Sequence, residues 1–328
     1  MLELELTARD LVATRFAISP LWEVVASVKV LRHPARHAPF APWIGQALPR
    51  LSAGKLDWRL LADLVPEPPL RIPAFIAPPP RVPLPDLELE LEQLGATPHD
   101  VVVKGLRATS APRSARLERM LADPEAGLRE LATVIEAYWE IALAPYWPRM
   151  RTLLEGDLLH RARTAAQRGL EHVLSDLDPG VSLEDATLSI RHRYVAGVLS
   201  LGGRGLLLVP SVFAWPNVYS IAVPGWQPTV RYPPRGIGTL WEQREKPAPS
   251  ALSGVIGQSK ALILTELSTP ASTSELATRL SLTPGGISQH LKALSAAGLV
   301  AAHRSGRFVL YARTAAAEAL LTAAAQAA

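Results

Sequence analysis

The chain has 328 residues, enough for two domains that each bury a core of their own. Its net charge of +4 and 20% charged residues exclude an extreme polyelectrolyte, and leave the identity of any charged partner to local patterning. The absence of cysteine excludes disulfides, thiol redox switching and soft-metal thiolate sites, which fits a reducing cytoplasm.

In chain order, Met1-Leu2-Glu3-Leu4-Glu5-Leu6 carries acid where a signal peptide needs base, and no apolar run follows it. A cytoplasmic protein is expected. Thr7 with Asp10 and Ser19 with Pro20 are helix-start signals, so two helices open the first domain. His33 and His37, the closest histidine pair, are separated by Pro34, which disfavours a regular helix, and no metal site is expected. Residues 66 to 85 hold nine prolines in twenty and predict an extended or irregular connection. Leu87-Glu88-Leu89-Glu90-Leu91-Glu92 alternates like a strand, but its residues are strong helix formers and Leu87, Leu91 and Leu94 also suit a helix, which we favour.

Residues 124 to 177 read as long helices, with Leu128, Leu131, Ile135 and Tyr138-Trp139 on one stripe. The aromatic group Tyr138, Trp139, Tyr146 and Trp147 either lines an apolar ligand pocket or belongs to the core; Trp139, Tyr146 and Trp147 are the candidate ligand-binding residues. His172, Asp176 and Asp178 read either as an acid–base or metal cluster or, as we favour, a solvated helix end before Pro179-Gly180. Strands follow, with alternating Leu188/Ile190 and Leu206/Leu208, and Leu201-Gly202-Gly203-Arg204 predicts a hairpin turn; it lacks the further glycine and lysine of a phosphate-binding loop. Arg191-His192-Arg193 reads as a charged strand edge rather than an anion site. The uncharged run Gly205 to Gln227 contains Pro210, Pro216 and Pro224, so it predicts buried β-structure and not a membrane span.

The last quarter carries the clearest chemistry. Ser272 and Glu275 form a capping-box pair, Leu276 and Leu280 lie on one helical face, and Ser281-Leu282-Thr283 makes a turn. Thr283 is the expected N-cap of a second helix, with Pro284 at its first position. Ile287, Leu291 and Leu294 form its buried stripe, so Gly285, Gln289 and Lys292 project outward, with Ser288 flanking them and His290 at the stripe's edge. After Gly298, two short strands surround Arg304-Ser305-Gly306-Arg307, a hairpin wing with arginines at its tip. From Ala251 onward six basic residues oppose three acidic ones, as a footprint on duplex DNA requires. Gln289 is the candidate for reading adenine, Ser288 for a less exclusive base contact, and Lys292, His290, Arg304 and Arg307 for phosphate or a narrow minor groove. Thr283 and Gly285 complete the DNA-facing set.

Residues from about Ala251 to Leu320 resemble the ArsR-type winged-helix transcriptional regulators, through Ser288-Gln289-His290-Leu291-Lys292-Ala293-Leu294 and Ala297-Gly298-Leu299-Val300. Many of those regulators sense metals through cysteine, which this chain lacks. Arg15 to Glu23, Gly205 to Phe213 and Tyr232 to Gly236 resemble an uncharacterised N-terminal domain found before ArsR-type motifs in actinobacterial regulators. The resemblances imply an α+β fold, with a helical and antiparallel-β N-terminal domain over residues 1–245 and a winged helix-turn-helix over 246–328. The implied function is a cytoplasmic homodimeric repressor on double-stranded DNA, released by a non-thiol-bound small-molecule effector. The Ala-rich tail Thr314–Ala328 and the helix around Gln258–Leu267 are the expected dimer contacts. No serine has a nucleophile's setting and no motif demands a nucleotide or other cofactor, so no enzyme is expected. The alternative is an enzyme or small-molecule-binding protein whose winged helix serves only as a dimerisation module.

Overall fold

The computed structural model describes residues 1–67, 71–109, 114–192, 195–241, 250–267, 270–280, 282–305 and 308–326. They form two compact units, Met1–Trp241 and Glu242–Ala328. The boundary expected at 245/246 lies in the segment 242–249, outside the described residues.

The first unit begins with β1 (Leu2–Glu5), α1 (Ala8–Ala13), β2 (Arg15–Phe16) and α2 (Pro20–Arg32). Both expected helix starts are present: Thr7 and Asp10 close a capping box, and Ser19 Oγ accepts from Trp22 N with Pro20 in the first turn. Next come α3 (Ala41–Ala53), α4 (Arg59–Leu64), α5 (Leu87–Gly95), α6 (His99–Ala108), α7 (Ala115–Ala122), α8 (Pro124–Ala142), α9 (Trp147–Arg168) and α10 (Leu170–Ser175). The strands β3 (Val181–Glu184), β4 (Thr187–Ile190), β5 (Gly197–Ser200), β6 (Leu207–Pro210), β7 (Tyr219–Ile221) and β8 (Thr229–Tyr232) complete the unit. Helix α2 is buried on almost every side, and with α3, α4, α5 and α8 it forms the main core around Trp43, Tyr138 and Phe213.

Two four-stranded sheets, in the orders β3-β4-β1-β5 and β2-β6-β8-β7, share a second core of Leu4, Leu188, Ile190, Leu208, Val230 and Tyr232. Both are mixed, which corrects the antiparallel expectation: β1 runs parallel to β5, and β2, β6 and β8 are parallel neighbours. Strand β6 accordingly buries every residue, as a strand covered on both faces does. The Gly202-Gly203 turn has the positive φ of a hairpin turn (+61° and +80°), yet β5 and β6 belong to different sheets. The turn thus hands the chain from one sheet to the other instead of closing a hairpin. Gly205 follows with φ +71°, and a Cβ there would meet the Ala13 carbonyl oxygen at 2.4 Å, so only glycine fits where its N–H reaches Asp10 Oδ1 at 3.0 Å.

The proline-rich connection is irregular over its described residues apart from a 3₁₀ turn at Ala74–Ile76, and its Pro78-Pro79-Pro80 run is buried. Proline has no N–H to satisfy, so burial requires partners only for its carbonyls. Pro79 accepts from Gln93 Nε2 at 2.9 Å, Pro80 from Arg15 Nη2 at 2.8 Å, and Ala77 from Arg231.

Three charges are buried beside α2. Glu23 accepts the N–H groups of Val212 (2.7 Å) and Phe213 (3.2 Å), and Glu90 accepts Ser19 Oγ (2.6 Å) and Leu21 N (2.7 Å) at the helix start. The Arg231 guanidinium lies 4.0 Å over the Trp22 ring. Burial pushes both carboxyls up to about 7 despite these hydrogen bonds. The native state therefore binds these protons more tightly than the unfolded chain does, and the stability they confer is full below about 4.5 and lost as pH rises through about 7. His37 opposes this: burial lowers it to about 4, so its contribution is present above 6.5 and lost as pH falls through about 4. Two groups outweigh one, and the melting temperature of the first unit is expected to fall between pH 5 and 7. Glu90→Gln, which fixes the uncharged form, should flatten that profile; a profile as steep as the parent's would remove Glu90 from the account.

The second unit comprises α11 (Ser250–Ile256), α12 (Gln258–Glu266), β9 (Ala271–Ser272), α13 (Thr273–Leu280), α14 (Pro284–Ala296), β10 (Val300–Ser305), β11 (Phe308–Arg313) and α15 (Ala315–Gln326). Its core joins Ile263, Leu264, Leu276, Ile287, Leu291, Leu294 and Val300. The mixture of helices and sheets makes the protein α+β. No helix among the described residues is long and apolar enough to cross a membrane, and the uncharged run 205–227 forms β6, a 3₁₀ turn and β7.

Candidate nucleic-acid interface

Local chemistry builds α13 and α14 as the spacing predicts. Ser272 N donates to Glu275 Oε2 at 2.7 Å while Glu275 N donates to Ser272 Oγ at 3.3 Å, so two free donors at the start of α13 are satisfied reciprocally. Leu282 N returns to the Ala277 carbonyl at 3.0 Å and closes the end of α13. Thr283 caps α14, its Oγ accepting from Gly286 N at 3.2 Å, with Pro284 in the first turn. At the other end Gly298 adopts φ +70°, Gly298 N bonds the Ser295 carbonyl at 3.0 Å and Leu299 N bonds Leu294 at 2.9 Å. That pair of bonds is the Schellman arrangement, and it turns the chain into β10.

The two faces of α14 separate as the periodicity requires. Ile287, Leu291 and Leu294 are buried, whereas Gly285, Gln289 and Lys292 are exposed, and Ser288 and His290 lie between the two faces. Seven residues at about 1.5 Å each place Gly285 and Lys292 roughly 10 Å apart along the axis, a segment that a major groove accommodates. A Cβ on Gly285 would meet nothing within 4 Å, so the fold does not require glycine there; its absent side chain leaves the first turn's backbone open to approach. The Thr283 hydroxyl is engaged as the cap, and its first role is to start the helix.

The wing is an antiparallel hairpin in register from Val300↔Arg313 to Ser305↔Phe308. Its strands are longer than expected, and β9 adds a third strand through Leu310↔Ser272, which a two-residue segment could not signal in sequence. The backbone of Arg304 lies in β10 opposite Val309, and Arg307 lies outside the described residues. Of the basic residues counted in this quarter, Arg313 serves the fold: its Nη2 donates to the Thr265 carbonyl at 2.6 Å, its Nε to that of Leu264, and Glu318 pairs with it. Glu318 offsets its charge, which leaves the excess of three on the other basic residues, and Lys292 and Arg279 are the exposed cations of α14 and α13.

The residues singled out in the first unit fall mostly into packing roles. Tyr138 is fully buried and its hydroxyl meets Ser27 Oγ at 2.9 Å. Trp139 packs edge-on against Trp147 at 5.1 Å, and Tyr146 packs against Trp241 at 5.7 Å while its hydroxyl donates to Gln46 at 2.7 Å. Trp139, Tyr146 and Trp147 thus tie α8, α9 and α3 together at the margin of the core. Asp178 Oδ1 accepts from Gly180 N at 2.7 Å in a tight turn, His172 faces Arg168, and no three metal-ligating side chains gather among the described residues. Arg191 and His192 follow β4 outside any strand, His192 Nε2 meeting Ser220 Oγ at 2.9 Å; Arg193 is outside the described residues.

Two family models match the chain: residues 263–302 match a helix-turn-helix domain, and residues 93–237 match a family of unknown function (DUF5937). No curated protein and no solved structure matches it. The chain therefore carries a C-terminal helix-turn-helix domain and, ahead of it, a domain of a family to which no function is assigned.

Proposed function

We propose that this protein is a sequence-specific DNA-binding transcriptional regulator of the ArsR type, acting as a cytoplasmic homodimeric repressor without enzymatic activity. The observation that carries the reading is the division of α14, with Ile287, Leu291 and Leu294 buried beneath an open stripe of Gly285, Gln289 and Lys292. Such a helix presents a bidentate amide for a base edge beside a cation for phosphate. The matched helix-turn-helix segment, which spans α13 and α14, supports the same reading.

Two copies are needed because one recognition helix reads only a few base pairs. The exposed alanines Ala315, Ala319 and Ala323 of α15 and the exposed Val255 of α11 suit contact with a second copy. Light scattering should give twice the chain mass. Release from DNA requires only that an effector favour one of two spacings of the paired recognition helices.

The test is fluorescence anisotropy on the DNA upstream of the protein's own gene and on a scrambled duplex, at two salt concentrations. Gln289→Ala is expected to reduce the preference for the native sequence by about 1–3 kcal/mol. Lys292→Ala should weaken both duplexes alike and lower the salt slope by about one phosphate contact per copy. Equal loss of discrimination in both variants would overturn this division of labour. Absence of binding by the parent protein would favour a winged helix that only contacts protein.

A further inference from the structure

A cleft of the first unit lies between the loop from α10 to β3, the segment after the 3₁₀ turn Val212–Ala214, and the residues that follow β8. Its volume is about 850 Å³, within the range of small-molecule sites. Apolar groups form much of its wall: Trp215, Pro216, Pro233, Pro234 and Leu177. Its charged lining is Arg161, Arg235, Asp176 and Asp178.

Each wall is held from behind. Trp215 packs against Phe40 at 6.3 Å, and the 3₁₀ turn before it is fixed by Glu23, which accepts the N–H groups of Val212 and Phe213. The segment after β8 is fixed by Asp157 Oδ1, which accepts Arg235 N at 3.2 Å. Arg161 is immobilised by Asp157 at 2.9 Å, by the Asp176 carbonyl at 3.3 Å and by the Tyr232 ring 4.5 Å from its guanidinium. A cleft with its lining fixed in advance pays little ordering entropy on binding.

The charges then decide what fits. Arg161 is neutralised by buried Asp157, and Arg235 lies 3.8 Å from Asp176. Asp178 remains as the uncompensated charge among the lining residues; one of its oxygens accepts Gly180 N. With Arg161 held by Asp157 and Arg235 beside Asp176, the cleft thus offers one carboxylate without an ion-pair partner among the described residues, next to the indole of Trp215 and to Pro216, Pro233 and Pro234, a lining suited to a cation whose substituents are apolar. We propose that this cleft binds a lipophilic organic monocation. Binding of that cation follows from the cleft alone; its use as the effector rests on the DNA-binding reading above.

The probe is tetraphenylphosphonium, titrated into the full-length protein by calorimetry without DNA, with tetraphenylborate as an anion of the same shape. Saturable binding of one cation per chain, at least tenfold tighter than the anion, is expected. Asp178→Asn preserves the acceptor for Gly180 N and should weaken the cation about fivefold, the worth of one partly screened charge. Trp215→Leu should weaken it by about the same factor through the lost ring face. Glu125→Gln, which removes an exposed charge at the start of α8, should leave affinity unchanged. Binding of both probes alike, no binding of the cation, or a cation affinity that neither Asp178→Asn nor Trp215→Leu changes would overturn the proposal. Because the titration contains no DNA, its failure is separate from failure of the operator test.

Discussion

Asp157→Ala is expected to destabilise the first unit by about 3–5 kcal/mol, as loss of one partner of a buried ion pair does. The side chains of Asp157 and Arg161 are 0% and 2% exposed, 2.9 Å apart. Asp157 also accepts the Tyr232 hydroxyl at 3.0 Å and Arg235 N at 3.2 Å, so truncation strands a guanidinium and two further donors. The exposed pair Arg59–Asp57, at 2.8 Å, makes a closer contact, yet it lies in water, where both groups stay hydrated when one is removed, so its loss should leave stability little changed. The two pairs differ in burial, and burial sets the effect. All eight tryptophans, from Trp22 to Trp241, lie in the first unit, so urea denaturation followed by their fluorescence reports that unit. Replacing the whole group, as Asp157→Leu with Arg161→Met and Tyr232→Phe, should recover most of the loss, because this network then holds no unpaired charge. A cost below about 1 kcal/mol for Asp157→Ala would show that water reaches the pair.

That network illustrates which features were legible beforehand. Arg161 and Asp157 sit four apart on an ordinary amphipathic stretch, and Tyr232 is 75 residues away, so no local pattern joins them. Glu23 and Glu90 are equally silent, since their partners Val212 and Leu21 lie 189 and 69 residues distant. By contrast, the helix-turn-helix was readable because its signals act over three or four residues: Ser272 with Glu275, Thr283 with Pro284, and Gly298 in the left-handed region. The clearest contrast is a pattern that occurs twice. Leu2-Glu3-Leu4-Glu5 is strand β1, paired with β4 and β5, whereas Leu87-Glu88-Leu89-Glu90 begins helix α5. Alternation alone fits both; Asp86, whose Oδ1 accepts Leu89 N at 2.9 Å, supplies the helix start that residues 2–5 lack. Strand direction was hidden for a related reason. Parallel pairing of β2 with β6 joins residues nearly two hundred apart, and the sequence pattern of a strand does not name its neighbour.

Leu291→Ala should weaken DNA binding by destabilising the second unit, although Leu291 lies on the buried face of α14. The side chain is fully buried among Ile263, Leu264, Leu276 and Ile287, where truncation of leucine costs about 2–5 kcal/mol. A unit this small has only about 5–10 kcal/mol to lose, so at the upper end of that cost its melting temperature drops toward the temperature of the assay and part of it unfolds. Apparent affinity then falls by the folded fraction for native and scrambled duplexes equally, while the salt slope of the folded remainder is unchanged. Gln289→Ala, two residues earlier on the exposed face, should do the reverse: its stability change stays within about 0.5 kcal/mol, and it alters sequence preference. Thermal melting separates them: the second unit has no tryptophan, so its unfolding is the transition that far-UV circular dichroism records and tryptophan fluorescence does not. Leu291→Met, which conserves volume, should cost less than about 1.5 kcal/mol and restore binding. If Leu291→Ala melted like the parent yet failed to bind, Leu291 would itself touch the duplex, and the face of α14 assigned to DNA would be the wrong one.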